Sequence, residues 1–140
     1  MNALGSVLLD TSIVVDYLRL DPGLHQKIEE VDDVYLPLVV LGELLNGAHK
    51  SNQPAKALAQ VKTFYDGCIV LLPDEKTADL YGQIKAELSA AGRKIPENDL
   101  WIAAAARQQG YPLATRDRHF FLCSEPDPIG LVNCRRSVAI

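Results

Sequence analysis

Ser6-Val7-Leu8-Leu9-Asp10-Thr11-Ser12-Ile13-Val14-Val15-Asp16-Tyr17-Leu18 is the stretch that decides the fold. Its first half is a short apolar run, the pattern of a strand covered on both faces, and it ends on a carboxylate. The chain then passes directly into a helix, Thr11–Leu20, which Asp21-Pro22-Gly23 terminates. A strand that turns at once into a helix opens a βαβ unit.

The alternation continues outward from that unit. A short helix, Leu24–Glu30, leads to a strand at Val34–Pro37. Leu38–Lys50 is helical and apolar on most sides, so it is expected to be largely buried. A helix from Pro54 carries Ala57, Leu58, Val61, Phe64 and Tyr65, and Cys68–Leu72 is a third strand. Asp74 is an N-cap for a helix reaching Ala91, which Gly92 ends. Asn98 is expected to cap the helix Asp99–Gln109, which Gly110 terminates. Tyr111–Thr115 is a fourth strand and Ile129–Asn133 a fifth at the edge. The expected architecture is a three-layer α/β/α fold around a mainly parallel sheet of about five strands, with right-handed crossovers. With 140 residues and no linker or repeat, positions 1–140 read as one domain.

Composition narrows the function classes. The apolar stretches are too short to span a bilayer, and no basic segment precedes the first of them, so no signal peptide is expected. Cys68, Cys123 and Cys134 form no CxxC pair and leave one over, which fits reduced thiols in a cytoplasm. A net charge of −4 argues against a general electrostatic grip on nucleic acid. It does not exclude a nuclease, because a bound cation and a local basic patch reverse the field at one site.

Four acids stand beside strongly apolar segments: Asp10, Glu43, Asp99 and Asp117. Carboxylates rarely enter an interior unless paired with a cation or a metal. In a parallel α/β sheet, ligands collect at the carboxyl ends of the strands near the topological switch point. Asp10 ends the first strand and Asp117 follows the fourth. Glu43 lies in the second turn after the second strand, and Asp99 opens the helix that leads into the fourth. All four can therefore converge on one rim. Each also has an ordinary reading: Asp10 as a helix cap, Asp99 as a first-turn acid facing the helix dipole, Asp117 as a turn residue. Glu43 is the hardest to explain that way, because Leu41, Leu44 and Leu45 surround it.

Two carboxylates about 4 Å apart repel by about 4 kcal/mol at an effective dielectric near 20. A shared divalent ion removes that cost, and all-oxygen ligation suits Mg²⁺ or Mn²⁺. His25, His49 and His119 show no zinc spacing and read as surface or local structural residues. Two other phosphate chemistries fit less well. A haloacid-dehalogenase-like phosphatase needs Asp-x-Asp, and Ser12 stands at the second position. A receiver domain needs an acidic pair after a strand, whereas Asp32-Asp33 precedes one.

Leu8-Leu9-Asp10-Thr11-Ser12-Ile13-Val14-Val15-Asp16-Tyr17-Leu18 resembles the opening of PIN-domain ribonucleases. Glu43-Leu44-Leu45-Asn46-Gly47-Ala48 is similar to that family's second acidic motif. Ile95-Pro96-Glu97-Asn98-Asp99-Leu100-Trp101-Ile102-Ala103-Ala104 resembles the third, and Ala114-Thr115-Arg116-Asp117-Arg118-His119-Phe120 the fourth. Within the family, the compact form most resembles VapC-type toxins of toxin–antitoxin pairs. The resemblance implies a Mg²⁺- or Mn²⁺-dependent endoribonuclease, with Asp10, Glu43, Asp99 and Asp117 as catalytic metal-binding acids. It implies that Ser12 and Thr115 orient a carboxylate or a water. Arg116 and Arg118 flank Asp117 and are candidates to meet RNA phosphates, with Arg93 and Lys94 as candidates to line the approach. The resemblance also implies a homodimer, with a cognate antitoxin beside the acids and the apolar faces of Thr11–Leu20 and Leu38–Lys50 as candidate contacts. The alternatives are a housekeeping PIN-domain nuclease and an inactive PIN-like binding module.

Overall fold

The first strand, β1 (Ser6–Leu9), buries Val7, Leu8 and Leu9 together, as a strand covered on both faces must. The computed structural model describes residues 5–20 and 22–115. Helices α1 (Thr11–Leu18) and α2 (Pro22–Glu29) lead to β2 (Asp33–Pro37). Helices α3 (Leu38–His49) and α4 (Pro54–Asp66) then lead to β3 (Ile69–Leu71). Finally α5 (Glu75–Ala90) and α6 (Glu97–Gln109) lead to β4 (Leu113–Ala114).

All strand pairings are parallel, in the order β3-β2-β1-β4. The sheet grows outward from β1 to β3 and then returns past β1 to β4. With right-handed crossovers, this reversal places α1–α4 and α5–α6 on opposite faces of the sheet. It also puts the topological switch point between β1 and β4, where the register pairs Leu8 with Leu113 and Leu9 with Ala114. Four strands are present among the described residues; the expected fifth, Ile129–Asn133, lies outside them.

The core is aliphatic, with Leu8, Leu9, Ile13, Leu24, Leu36, Ile84, Ile102 and Leu113 fully buried. Helix α6 contributes four consecutive buried alanines, Ala103–Ala106, whose small side chains let its backbone lie close to its neighbours. Its outer face packs on α5, where Tyr81 and Trp101 stack with ring centroids 4.2 Å apart. Beside that stack, Lys85 approaches Glu97 to 2.6 Å. The Lys85 ammonium, then the Tyr81 hydroxyl, hold the Glu97 carboxyl below its ordinary range, and Glu97 in turn raises Lys85.

Several element ends depart from the sequence reading. Helix α2 begins at Pro22, a residue whose fixed φ suits the first helical turn. Helix α3 is not largely buried: Val40, Leu44 and Ala48 face inward, whereas Leu38 is exposed. Helix α6 starts at Glu97 after Pro96, so Asn98 lies inside its first turn and is not the cap. Gly110 ends α6 with φ 71°, a left-handed conformation that glycine adopts without steric cost. Strand β4 is only two residues long; Pro112 before it has no N–H to donate, although its carbonyl accepts from the Leu8 N–H at 2.9 Å.

Candidate active site

Asp10 ends β1 and is also the N-cap of α1. Its backbone N–H donates to the Ala114 carbonyl at 3.2 Å, which ties the end of β1 to β4. Its side chain is 3% exposed and collects donors from both sides of the switch point. Oδ1 accepts from the Ser12 hydroxyl at 2.6 Å and from the Ile13 N–H at 3.2 Å. Oδ2 accepts from the hydroxyl of Thr115, which is itself fully buried just past β4. The sequence left open whether Asp10 is a cap or a site acid, and the geometry makes it a cap. The bonds from Ser12 and Thr115 go beyond capping, since they hold the carboxylate between the first turn of α1 and the end of β4.

Glu43 sits half-buried in the second turn of α3. The Thr11 hydroxyl donates to its Oε1 at 3.0 Å, so the residue after Asp10 orients the next acid. The sequence reading missed Thr11. The available signal was its place in the first turn of α1, next to Asp10 and so able to reach a helix packed alongside. Asp99, the third residue of α6, is 9% exposed and lies where the helix dipole favours negative charge.

Asp10, Glu43 and Asp99 thus belong to three elements that begin at the carboxyl end of the sheet or return to it. Among the described residues, no group of three or more His, Cys, Asp or Glu side chains is gathered closely enough to hold a metal ion. Asp117, Arg116 and Arg118 lie outside the described residues. Arg93 and Lys94 are exposed in the connection between α5 and α6. Asp10, Glu43 and Asp99 offer oxygen donors alone, the donor type that a hard divalent cation takes. Of the histidines, His25 stacks on Tyr17 with centroids 3.9 Å apart and its Nε2 lies 2.8 Å from the Tyr17 carbonyl. His49 is exposed at the end of α3, and His119 lies outside the described residues.

A parallel α/β sheet with buried acids at its switch point carries them where open α/β folds bind their ligands. The profile of the PIN domain family matches residues 7–122, and the chain belongs to that family. It is 34% identical over 116 residues to ribonuclease VapC2 of Haemophilus influenzae, covering 81% of this chain and 88% of that protein. It is 32% identical over 116 residues to the tRNA(fMet)-specific endonuclease VapC of Shigella flexneri, with the same coverage of 81% and 88%. In structure it is similar to the DNA-bound VapBC of Salmonella typhimurium, with a TM-score of 0.77 and 28% identity over 84% of this chain and 90% of that one.

Proposed function

We propose that this protein is a divalent-metal-dependent endoribonuclease and the toxin component of a toxin–antitoxin pair. The observation that carries the reading is the Asp10 carboxylate, buried at the switch point and fixed by Ser12 and Thr115 from two sides. The similarity to VapC ribonucleases across most of the chain supports the same reading. Asp10, Glu43 and Asp99 would hold Mg²⁺ or Mn²⁺, with Asp117 as a fourth acid.

The chemistry such an ion supplies when bound is a water of lowered pKa and a polarised scissile phosphate. The chain's own residues do the rest. Ser12 and Thr115 fix the plane of Asp10, so that its remaining lone pairs need no rearrangement during reaction. Thr11 does the same for one oxygen of Glu43. Arg93, Lys94, Arg116 and Arg118 would meet RNA phosphates, contributing affinity without sequence discrimination.

Residues 1–140 would act as one PIN-like domain in the cytoplasm, as a homodimer silenced by an antitoxin. Among the described residues, no helix is long and apolar enough to cross a membrane. VapBC assemblies of toxin with antitoxin among the structural relatives support the partner. The test is RNA cleavage by the purified protein and by its Asp10→Asn and Asp99→Asn variants. Cleavage by the parent alone is expected; equal cleavage by all three would trace the activity to a contaminant and sink the assignment. In cells, expression should arrest growth unless the antitoxin is supplied. Harmless expression of a protein active in vitro would favour a housekeeping nuclease.

A further inference from the structure

Asp99 is flanked two residues away on each side by side chains held from α5: Glu97 by Tyr81 and Lys85, and Trp101 by Tyr81. Glu97 Oε2 accepts from the Tyr81 hydroxyl at 2.5 Å, and Glu97 Oε1 accepts from Lys85 Nζ at 2.6 Å. Lys85 Nζ also donates to the Tyr81 hydroxyl at 3.2 Å. On the other side of Asp99, the Trp101 ring lies on the Tyr81 ring with an interplanar angle of 13°. We propose that Tyr81, Lys85, Glu97 and Trp101 are positioning residues that clamp the first turn of α6 and so hold Asp99 in the metal site. The inference rests on the reading of Asp99 as a metal ligand.

Helix geometry makes the grip effective. Residues two apart are separated by about 200° around a helix axis, so a hold on 97 and 101 is a hold on the face opposite Asp99. The burial agrees, with Glu97 exposed and Asp99 buried. The first turn needs such a hold, because Pro96 at the N-cap offers no side-chain hydrogen bond. A carboxylate about 5 Å from the axis moves about 1.3 Å when the turn rotates by about 15°, which is far outside the tolerance of metal–oxygen distances. An exposed ion pair contributes little to stability, so the clamp's loss should appear in ligand geometry and hardly at all in unfolding.

The experiment measures Mn²⁺ binding to the whole purified chain without RNA, following free Mn²⁺ by electron paramagnetic resonance. Tyr81→Phe keeps the ring stack and removes the hydroxyl; Glu97→Ala removes the bonds from Tyr81 and Lys85 and leaves the stack on Trp101. Mn²⁺ affinity is expected to fall at least about threefold in the first and about tenfold in the second. Their melting temperatures in chelator should move by less than about 2 °C. The fluorescence anisotropy of Trp101, the chain's one tryptophan, should fall in Glu97→Ala as the turn loosens. In RNA cleavage, kcat should drop with KM unchanged. Mn²⁺ binding as tight as the parent's in both variants overturns the clamp. The Asp99→Asn variant separates the causes. If it loses Mn²⁺ while the clamp variants keep it, only the clamp fails; if it too binds like the parent, the reading of Asp99 as a ligand fails and the clamp fails with it.

Discussion

Replacing Thr115 with valine removes one hydroxyl from the site at nearly constant volume. That hydroxyl donates to Asp10 Oδ2, and both side chains are buried. A hydrogen bond to a charged group contributes about 1.5–3 kcal/mol, and leaving a buried acceptor short of its donor costs energy of the same order. The buried methyl of valine offsets up to about 0.8 kcal/mol of that. The expected net loss is about 1–2 kcal/mol. For 140 residues, the usual unfolding entropy of about 2.1 cal/mol/K per residue gives about 0.3 kcal/mol/K, so the melting temperature should fall by about 3–7 °C. The assay is urea and thermal unfolding in chelator, with Thr115→Ser as the control that keeps the hydroxyl and loses the methyl. The urea midpoint should fall at constant slope in the valine variant and stay nearer the parent in the serine variant. A valine variant as stable as the parent, with serine the weaker of the two, would show that the hydroxyl does nothing for Asp10.

Thr11→Val should leave Glu43 without its donor and lower the kcat of RNA cleavage by about tenfold, the equivalent of one lost hydrogen bond of about 1.4 kcal/mol. Steady-state kinetics beside a circular dichroism spectrum would check this, and an unchanged kcat would remove Thr11 from the site. Mn²⁺ at about 100 times its dissociation constant should add about 2.7 kcal/mol of stability, and Asp10→Asn should abolish most of that gain. A thermal-shift series shows this directly, and no response in the parent would count heavily against a metal site. Ile84→Ala, in the fully buried part of α5, should cost about 2–5 kcal/mol by urea unfolding. Burial pushes the Cys68 thiol up to about 11, so its thiolate is scarce at pH 8 and becomes abundant only as pH approaches that value. Peptide mapping after iodoacetamide should therefore find Cys68 labelled slowly at pH 8 and increasingly faster toward pH 11.

The sequence disclosed the layers of the fold better than its ends. Val7, Leu8 and Leu9 form an unbroken apolar run because helices cover both faces of β1, and that signal is purely local. Strand order is non-local, but βαβ handedness leaves few choices, so the rim at which Asp10 ends β1 could be placed in advance. Asn98 misled because asparagine is a good cap in isolation. The earlier start of α6 instead accompanies tertiary contacts of Glu97 with α5 that no local pattern announces. The bond from Thr11 to Glu43 spans 32 positions and was invisible for the same reason. Asp10 was ambiguous because the residue type that caps a helix is also the one that binds a hard cation.

That double use of Asp10 has a genetic consequence. Alanine at this position removes the α1 cap together with the proposed ligand, so its phenotype merges misfolding with inactivity. Asparagine still offers an oxygen to the Ile13 N–H while discarding the negative charge. Aspartate and asparagine codons differ by one nucleotide. A single transition would therefore separate a growth-arresting chain from a folded and silent one that still presents the rest of its surface to an antitoxin. Among survivors of toxin expression, that substitution should recur more often than most others along the rim.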